Sequence, residues 1–420
     1  MLEPQSTALF ILLMAAFCGL LAWVALTKQT VFRVLAASLA FIPAMLFGVA
    51  AVNKYYNYYQ TWGSISADLG AQGGANNLPS VSGYLPSKNV NAILSKVTQA
   101  ATASKQGETV QFTITGPLSH ITRQVLIYLP PQYFQSGYRN YRFPAIELMP
   151  GFPGEPLDWI NVVGITQTYL TLLGDGLAKP AVLVMPDTNP NRQTSLQCLN
   201  VVHGPQDATF LSVEVPQYFA QTLRVQPPGP AWGVAGYSEG GYCAANLALV
   251  YRLRYGFAAV LSGYFRPDRD KLGHPPHRIN PFGRNRRLAQ ENTPLDRVRA
   301  LPVDAVIPQF WLGAGNLDVK DVVDARTFQE LLLPRQPGVQ LQLAPGGGHT
   351  MTTWRALIPP MLEWMTPGLA QAASGALPGM QHRPAPHASP APTPSSPALR
   401  TGSATPSRAA RRVPTRTPSP

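Results

Sequence analysis

Two charge-free runs near the N-terminus constrain this chain more than any other feature. Ala8–Leu26 (ALFILLMAAFCGLLAWVAL) and Val34–Val52 (VLAASLAFIPAMLFGVAAV) are each 19 residues long and carry no charged side chain. A helix needs about 20 residues to cross the ~30 Å hydrocarbon core of a bilayer, so each run is long enough to span it. The linker between them, Thr27–Arg33, carries Lys28 and Arg33, whereas the leading segment has only Glu3. Basic residues favour the cytoplasmic side, which places the linker inside and the rest of the chain outside the cell membrane. A secretory signal would start basic and have a shorter apolar core, and this chain starts acidic. The expectation for residues 1–53 is therefore a two-helix membrane hairpin (8–26 and 34–52). Lys54-Tyr-Tyr-Asn-Tyr-Tyr59 and Trp62 follow, aromatics suited to the headgroup level.

Composition agrees that the chain is not one uniform soluble globule. Only 13% of its 420 residues are charged, and 43 are proline, against about 25% and about 5% in a typical soluble domain. Part of the proline lies in residues 367–420, a stretch rich in Ala, Pro, Ser and Thr with no acid after Glu363. Arg383, Arg400, Arg408, Arg411, Arg412 and Arg416 lie there and supply half of the formal +12. Such a segment buries too little apolar surface to offset its ordering entropy and is expected to be disordered. Its partners would be anionic lipids or wall polymers, unless it serves only to solubilise. Residues 54–107 read as a membrane-proximal connector with one helix near Asn89–Ala103.

Between residues 108 and 366 apolar runs alternate with helical stretches. Thr109–Thr115 and Arg123–Leu129 alternate with period two, as half-buried edge strands do. Ala145–Met149, Ala181–Met185, Trp232–Ala235, Ala258–Leu261, Ala305–Leu312 and Val339–Leu343 follow as further strands, the earlier ones continuously apolar. Helices are expected at Val215–Leu223, Gly241–Tyr255, Ala325–Leu333 and Trp354–Trp364. Strands separated by helices imply right-handed crossovers and a mainly parallel sheet covered on both faces.

Gly236-Tyr-Ser-Glu-Gly240 lies directly between a strand and a helix. A serine in so sharp a turn, flanked by small residues, has its hydroxyl pushed above the sheet. Ser238 needs a base to take its proton and an acid to orient that base. In this architecture the order along the chain is serine, acid, histidine. His120 and His203 precede Ser238, His274 and His277 come before the penultimate strand, and His382 and His387 lie in the tail. His349, after Gly346-Gly-Gly348, follows the last strand and is the candidate base. Asp318 ends the preceding strand in the turn Gly315-Asn-Leu-Asp318 and is the first candidate acid. Asp321 and Asp324 follow at helical spacing as alternatives, or as residues that start the next helix. The oxyanion of an acyl-transfer intermediate needs two preorganised N–H donors. Glu239 would supply one from its backbone, and Gly151 or Phe152 in Met149-Pro-Gly-Phe-Pro-Gly154 the other. No motif calls for a cofactor, and no His/Cys/Asp cluster has metal-ligand spacing.

Cys18 lies in the first apolar run, leaving Cys198 and Cys243 for the globular part. Outside the cell such a pair is expected to bridge, two buried thiols being the alternative. The segment 264–301 holds nine Lys/Arg against four Asp/Glu and reads either as a basic lid or as a solvated loop. Its charges are not interleaved with aromatics, so nucleic-acid binding is not expected.

Pro150-Gly-Phe-Pro-Gly154, Gly236-Tyr-Ser-Glu-Gly-Gly241, Gly315-Asn-Leu-Asp318 and Gly347-Gly-His349 together resemble the esterase family of α/β-hydrolases. That family includes S-formylglutathione hydrolases, feruloyl esterases and mycolyltransferases, and the membrane-attached actinobacterial type is the most similar. The resemblance covers roughly Thr109–Met365. It departs at Glu239, where many members have methionine, and at Met149-Pro150, where Leu-His is common. It implies a serine esterase acting on ester or acyl-lipid substrates through an acyl-enzyme. An acyltransferase on cell-envelope acceptors uses the same residues, and a non-catalytic scaffold of the same fold is the third reading.

Overall fold

Apolar strands of five to nine residues set the architecture. In the computed structural model, residues 2–56, 58–63, 65–66, 80–83, 105–268, 272–274 and 277–375 are described. The expected helix at Asn89–Ala103 and the tail from residue 376 lie outside them. β1 (Ser80–Gly83), β2 (Glu108–Thr115), β3 (Thr122–Leu129), β4 (Ala145–Met149) and β5 (Val182–Pro186) form the first half of one sheet. β6 (Gly229–Tyr237), β7 (Tyr255–Leu261), β10 (Gln309–Gly315) and β11 (Gln340–Ala344) form the second half, and β8 (Gly273–His274) with β9 (His277–Arg278) make a separate short ribbon. The sheet order is β1-β2-β3-β5-β4-β6-β7-β10-β11. β3 runs antiparallel to both β2 and β5, and the other neighbours are parallel.

The central strands are continuously apolar because both faces are covered, as in parallel sheets generally. On β7, Ala258 and Val260 pack into one core while Phe257, Ala259 and Leu261 pack into the other. Helices Val215–Thr222, Glu239–Val250 and Val319–Leu332 supply the first core, and Ile165–Gly174 and Met351–Ala373 the second. This is the α/β-hydrolase arrangement.

Several boundaries differ from the sequence reading. Neither expected edge strand is one: Ser80–Gly83 pairs with β2 in parallel, and β3 lies between β2 and β5. The polar four-residue segment Ser-Val-Ser-Gly gave no period-two signal. The helix after Ser238 ends at Val250, and Tyr255 already belongs to β7. The run at Ala305–Leu312 becomes strand only from Gln309, beyond Pro308. The last helix begins at Met351 and continues to Ala373, with Pro359, Pro360 and Pro367 inside it, so residues 367–373, expected to open the disordered tail, are helical.

At the N-terminus, α1 (Thr7–Leu26) and α2 (Thr30–Tyr56) are both long and apolar enough to cross a membrane, by length and composition. α2 absorbs part of the charged linker at one end and the first tyrosines at the other. The two helices lie side by side, with Phe10 edge-on to Phe47, ring centroids 5.2 Å apart. The aromatics after α2 do not all stay at an interface. Tyr55 and Tyr56 are exposed, but Tyr58 and Tyr59 pack against the core that contains Trp159, Tyr237 and Trp354.

Candidate active site

Ser238 sits where β6 turns into the helix Glu239–Val250, with φ 55° and ψ −120°. A non-glycine residue in such a conformation costs on the order of 1–3 kcal/mol and persists only where its surroundings enforce it. Here the enforcement is steric. A Cβ on Gly236 would lie 2.1 Å from the Gly240 carbonyl oxygen, and one on Gly240 2.0 Å from that of Met149. The Ser238 N–H donates to the Leu261 carbonyl at 2.9 Å, tying the turn to β7.

Ser238 Oγ lies 2.9 Å from Nε2 of His349. The histidine is held in the loop after β11, and Thr353 Oγ1 donates to the Gly348 carbonyl at 2.7 Å. The acid-bearing turn is laced to this loop, the Leu317 N–H donating to the Gly347 carbonyl at 2.8 Å. Trp354 stands edge-on to the imidazole, 5.1 Å between centroids.

On the other side of the ring, Nδ1 is 2.8 Å from Oδ2 of Asp318 and 2.8 Å from Oδ2 of Asp321. Both of the first two candidate acids therefore meet the histidine. Asp321 also belongs to the first turn of the helix Val319–Leu332, so it both starts that helix and touches the ring. Asp324 lines the cavity beside Ser238 but pairs with Lys320, at 3.3 Å. Burial alone would lower the His349 pKa, but hydrogen bonds and charge from Asp318 and Asp321 outweigh it and raise it to about 9. Burial pushes Asp321 up, and the neighbouring Asp318 adds to this. Burial works against ionised Asp318 too, but the bonds from His349 and Asp321 outweigh it and hold its carboxyl below the usual range. Asp318 is thus the more acidic member of the pair. The three side chains bring ligand-type atoms within 4.8 Å of one another, close enough for a cation. With Ser238 on the opposite ring nitrogen, the same arrangement can also pass a proton between the hydroxyl and the carboxyls.

Glu239 heads the helix, where first-turn N–H groups have no partner within the helix. Its carboxylate is buried, accepting from Ser195 Oγ at 2.7 Å and Asn189 Nδ2 at 3.2 Å. The departure from methionine is thereby accommodated by two polar groups of the loop after β5. That loop also carries Cys198, which is bonded to Cys243 with S–S 2.08 Å and a sequence separation of 45. A loop of this length corresponds to about 4 kcal/mol in the chain-entropy treatment of a disulfide. Replacing both cysteines by serine should lower the unfolding free energy by ~2–5 kcal/mol in a denaturant titration. An unchanged midpoint would mean that the sulfurs are not bridged in the native protein.

The loop with Gly151 and Phe152 faces Ser238 across one cavity of about 620 Å³, which also reaches His349. Asp158 Oδ2 accepts from the Glu155 N–H at 2.9 Å and braces this loop, and Tyr58, just after α2, hydrogen-bonds to the same carboxylate. A second cavity of about 650 Å³ touches Ser238 from the acid side and is lined by Tyr264, Arg266 and Asp268 of the basic segment. Other basic residues there are engaged elsewhere: Arg287 with Glu291 at 2.9 Å, Arg299 with Asp296 at 3.2 Å. The sequence reading missed Asp321 as a second ring partner, the two groups on Glu239, and Tyr58. Glu239 was the available signal, since a charged residue beside a buried turn needs partners.

A family model described as "Putative esterase" matches residues 120–365, more than half of the chain. The chain belongs to this esterase family. It is accordingly an esterase-type hydrolase. An uncharacterized protein of Corynebacterium glutamicum is 24% identical over 349 residues, covering 79% of this chain and 76% of that protein. The MPT51 antigen of Mycobacterium leprae is 44% identical over 60 residues, 14% of this chain and 19% of the antigen. Among solved structures, a ferulic acid esterase superposes with a TM-score of 0.54 at 17% identity, covering 63% of this chain and 100% of that one. At that identity the likeness concerns the fold.

Proposed function

We propose that this member of the family is a membrane-anchored serine esterase whose nucleophile is Ser238, whose base is His349 and whose orienting acid is Asp318, assisted by Asp321. The observation that carries the reading is the unbroken line of hydrogen bonds from Ser238 Oγ through both nitrogens of His349 to the two carboxyls. Nε2 takes the hydroxyl proton as Oγ attacks the ester carbon. The oxyanion is received by the backbone N–H of Glu239 and of Gly151 or Phe152. The carbon–oxygen bond to the alcohol then breaks, and the alcohol leaves with the proton from Nε2. Water repeats the sequence on the acyl-enzyme and frees the acid.

Two apolar helices and a basic turn between them support an anchor with the catalytic part, residues 108–366, outside the cell. In this reading the segment 264–301 borders the site as a lid through Tyr264, Arg266 and Asp268. A membrane-impermeant fluorophosphonate applied to intact cells should label Ser238. Labelling only after lysis would overturn the orientation, and no labelling in either case would overturn the serine esterase. The second cavity beside Ser238 also favours acyl transfer to a polar acceptor. That reading predicts transfer product in competition with free acid when a polyol is added.

A further inference from the structure

The cavity of about 620 Å³ at Ser238 is not made by the catalytic region alone. Val49, Val52 and Tyr56 of α2 form one wall, and Phe152, Met351 and Trp354 form the other. The volume falls in the ~300–1,000 Å³ range of small-molecule sites, and these side chains are almost wholly apolar. Val49 and Val52 are 65% and 59% exposed in the chain as it stands, so the wall presents open apolar surface to whatever enters. The wall is held in place. Beyond the bond from Tyr58 to Asp158, Arg355 Nη2 donates to the Tyr58 carbonyl at 3.0 Å, and Gln60 Nε2 to Thr352 Oγ1 at 3.4 Å. Both Arg355 and Thr352 lie on the helix that follows His349. The anchor and the base-bearing loop are therefore joined within a few residues of each other.

Position along α2 decides what such a cavity takes. Val49 and Val52 are among the last residues of the charge-free run, and Lys54 and the tyrosines follow immediately. At 1.5 Å of rise per residue, the cavity lies at the boundary between hydrocarbon and headgroup layer. The ester groups of membrane lipids lie at that boundary, with the acyl chain below them. Resting on the serine-esterase reading above, we propose that α2 completes the acyl pocket, and that the substrate is a long-chain acyl ester drawn sideways from the leaflet. The acyl chain lies between α2 and the helix Met351–Ala373, with the ester carbonyl at Ser238. The alcohol portion faces the second cavity.

The test uses the full chain reconstituted in phosphatidylcholine vesicles. The readout is the ratio of kcat/KM for p-nitrophenyl palmitate to that for the butyrate. Val52→Trp fills the wall and should lower this ratio at least about tenfold, the lower end of what a methylene-sized change in an apolar pocket is worth. Met45→Trp, on the same helix but outside the cavity, should leave the ratio at the wild-type value. An unchanged ratio in a Val52→Trp protein that still takes the fluorophosphonate label would overturn the shared pocket. A second measurement needs no variant. A palmitoyl-chain fluorophosphonate with a diazirine near its methyl end, bound at Ser238 of the wild type and irradiated, should cross-link to peptides containing Val49–Tyr56. Cross-links confined to the Tyr264–Leu295 side would place the acyl chain in the other cavity and overturn the proposal. Wild type that takes no label at all would instead overturn the esterase reading on which it rests.

Discussion

Ser238→Ala and His349→Ala are each expected to lower kcat by about 10⁶-fold, and the double variant should lose little more. The reason is that the 2.9 Å contact between Oγ and Nε2 makes the two side chains one device. A serine without its base keeps its proton, and a base without its serine has nothing to activate. Neither substitution should unfold the protein, since alanine at 238 relieves nothing and adds nothing to the strained turn that Gly236 and Gly240 impose. The check is steady-state kinetics on folded protein, with circular dichroism to confirm the fold. Full esterase activity in folded Ser238→Ala would remove the nucleophile from this site and restore the scaffold reading.

Asp318→Asn is the second large effect, a loss of about 10⁴-fold in kcat. Asp318 is the more acidic of the two carboxyls facing Nδ1, and an amide there can turn its NH₂ toward the ring and favour the wrong tautomer. Asp321→Asn should lose less, because its carboxyl is pushed toward the neutral form and only shares the same Nδ1 proton. Its signature is the pH profile. The base works neutral, and the two acids raise its pKa from 6.5 to about 9. The rate kcat/KM of the wild type should therefore climb with pH and level near 9. Removing either acid lowers the imidazole pKa and moves that climb to lower pH. If Asp321→Asn leaves the climb where the wild type has it, Asp321 does no more than start its helix.

How much of this was readable in the residues varies from one feature to the next. That Ser238 and His349 would meet could be read because their positions are local: a glycine-flanked turn after one strand, a glycine-rich loop after the last. The partnership of Asp318 with Asp321 was not, because it depends on how tightly Gly315–Asp318 folds onto Gly347 before the helix starts. Spacing left Asp321 open as an alternative acid or as a residue that starts the helix, and in the fold it both touches the ring and lies in the helix's first turn. The edge of the sheet was misjudged because Ser80–Gly83 lacks apolar alternation and is defined only by the partner it pairs with. Least readable was the approach of α2 to the site. The sequence marks α2 as apolar and its sequel as aromatic, but not that Tyr58 turns inward to Asp158 while Tyr55 and Tyr56 stay outside.

The backbone of Ser238, at φ 55°, has a practical consequence. A serine relaxes out of that conformation as soon as the glycine packing around it is lost, and with it goes the alignment on His349. On the proposed reading, reactivity toward a covalent probe then belongs to the native chain alone. In a heated or mutated sample, the tagged fraction counts the molecules still folded. A gel lane of labelled protein then becomes a thermometer for this chain, readable without purifying it.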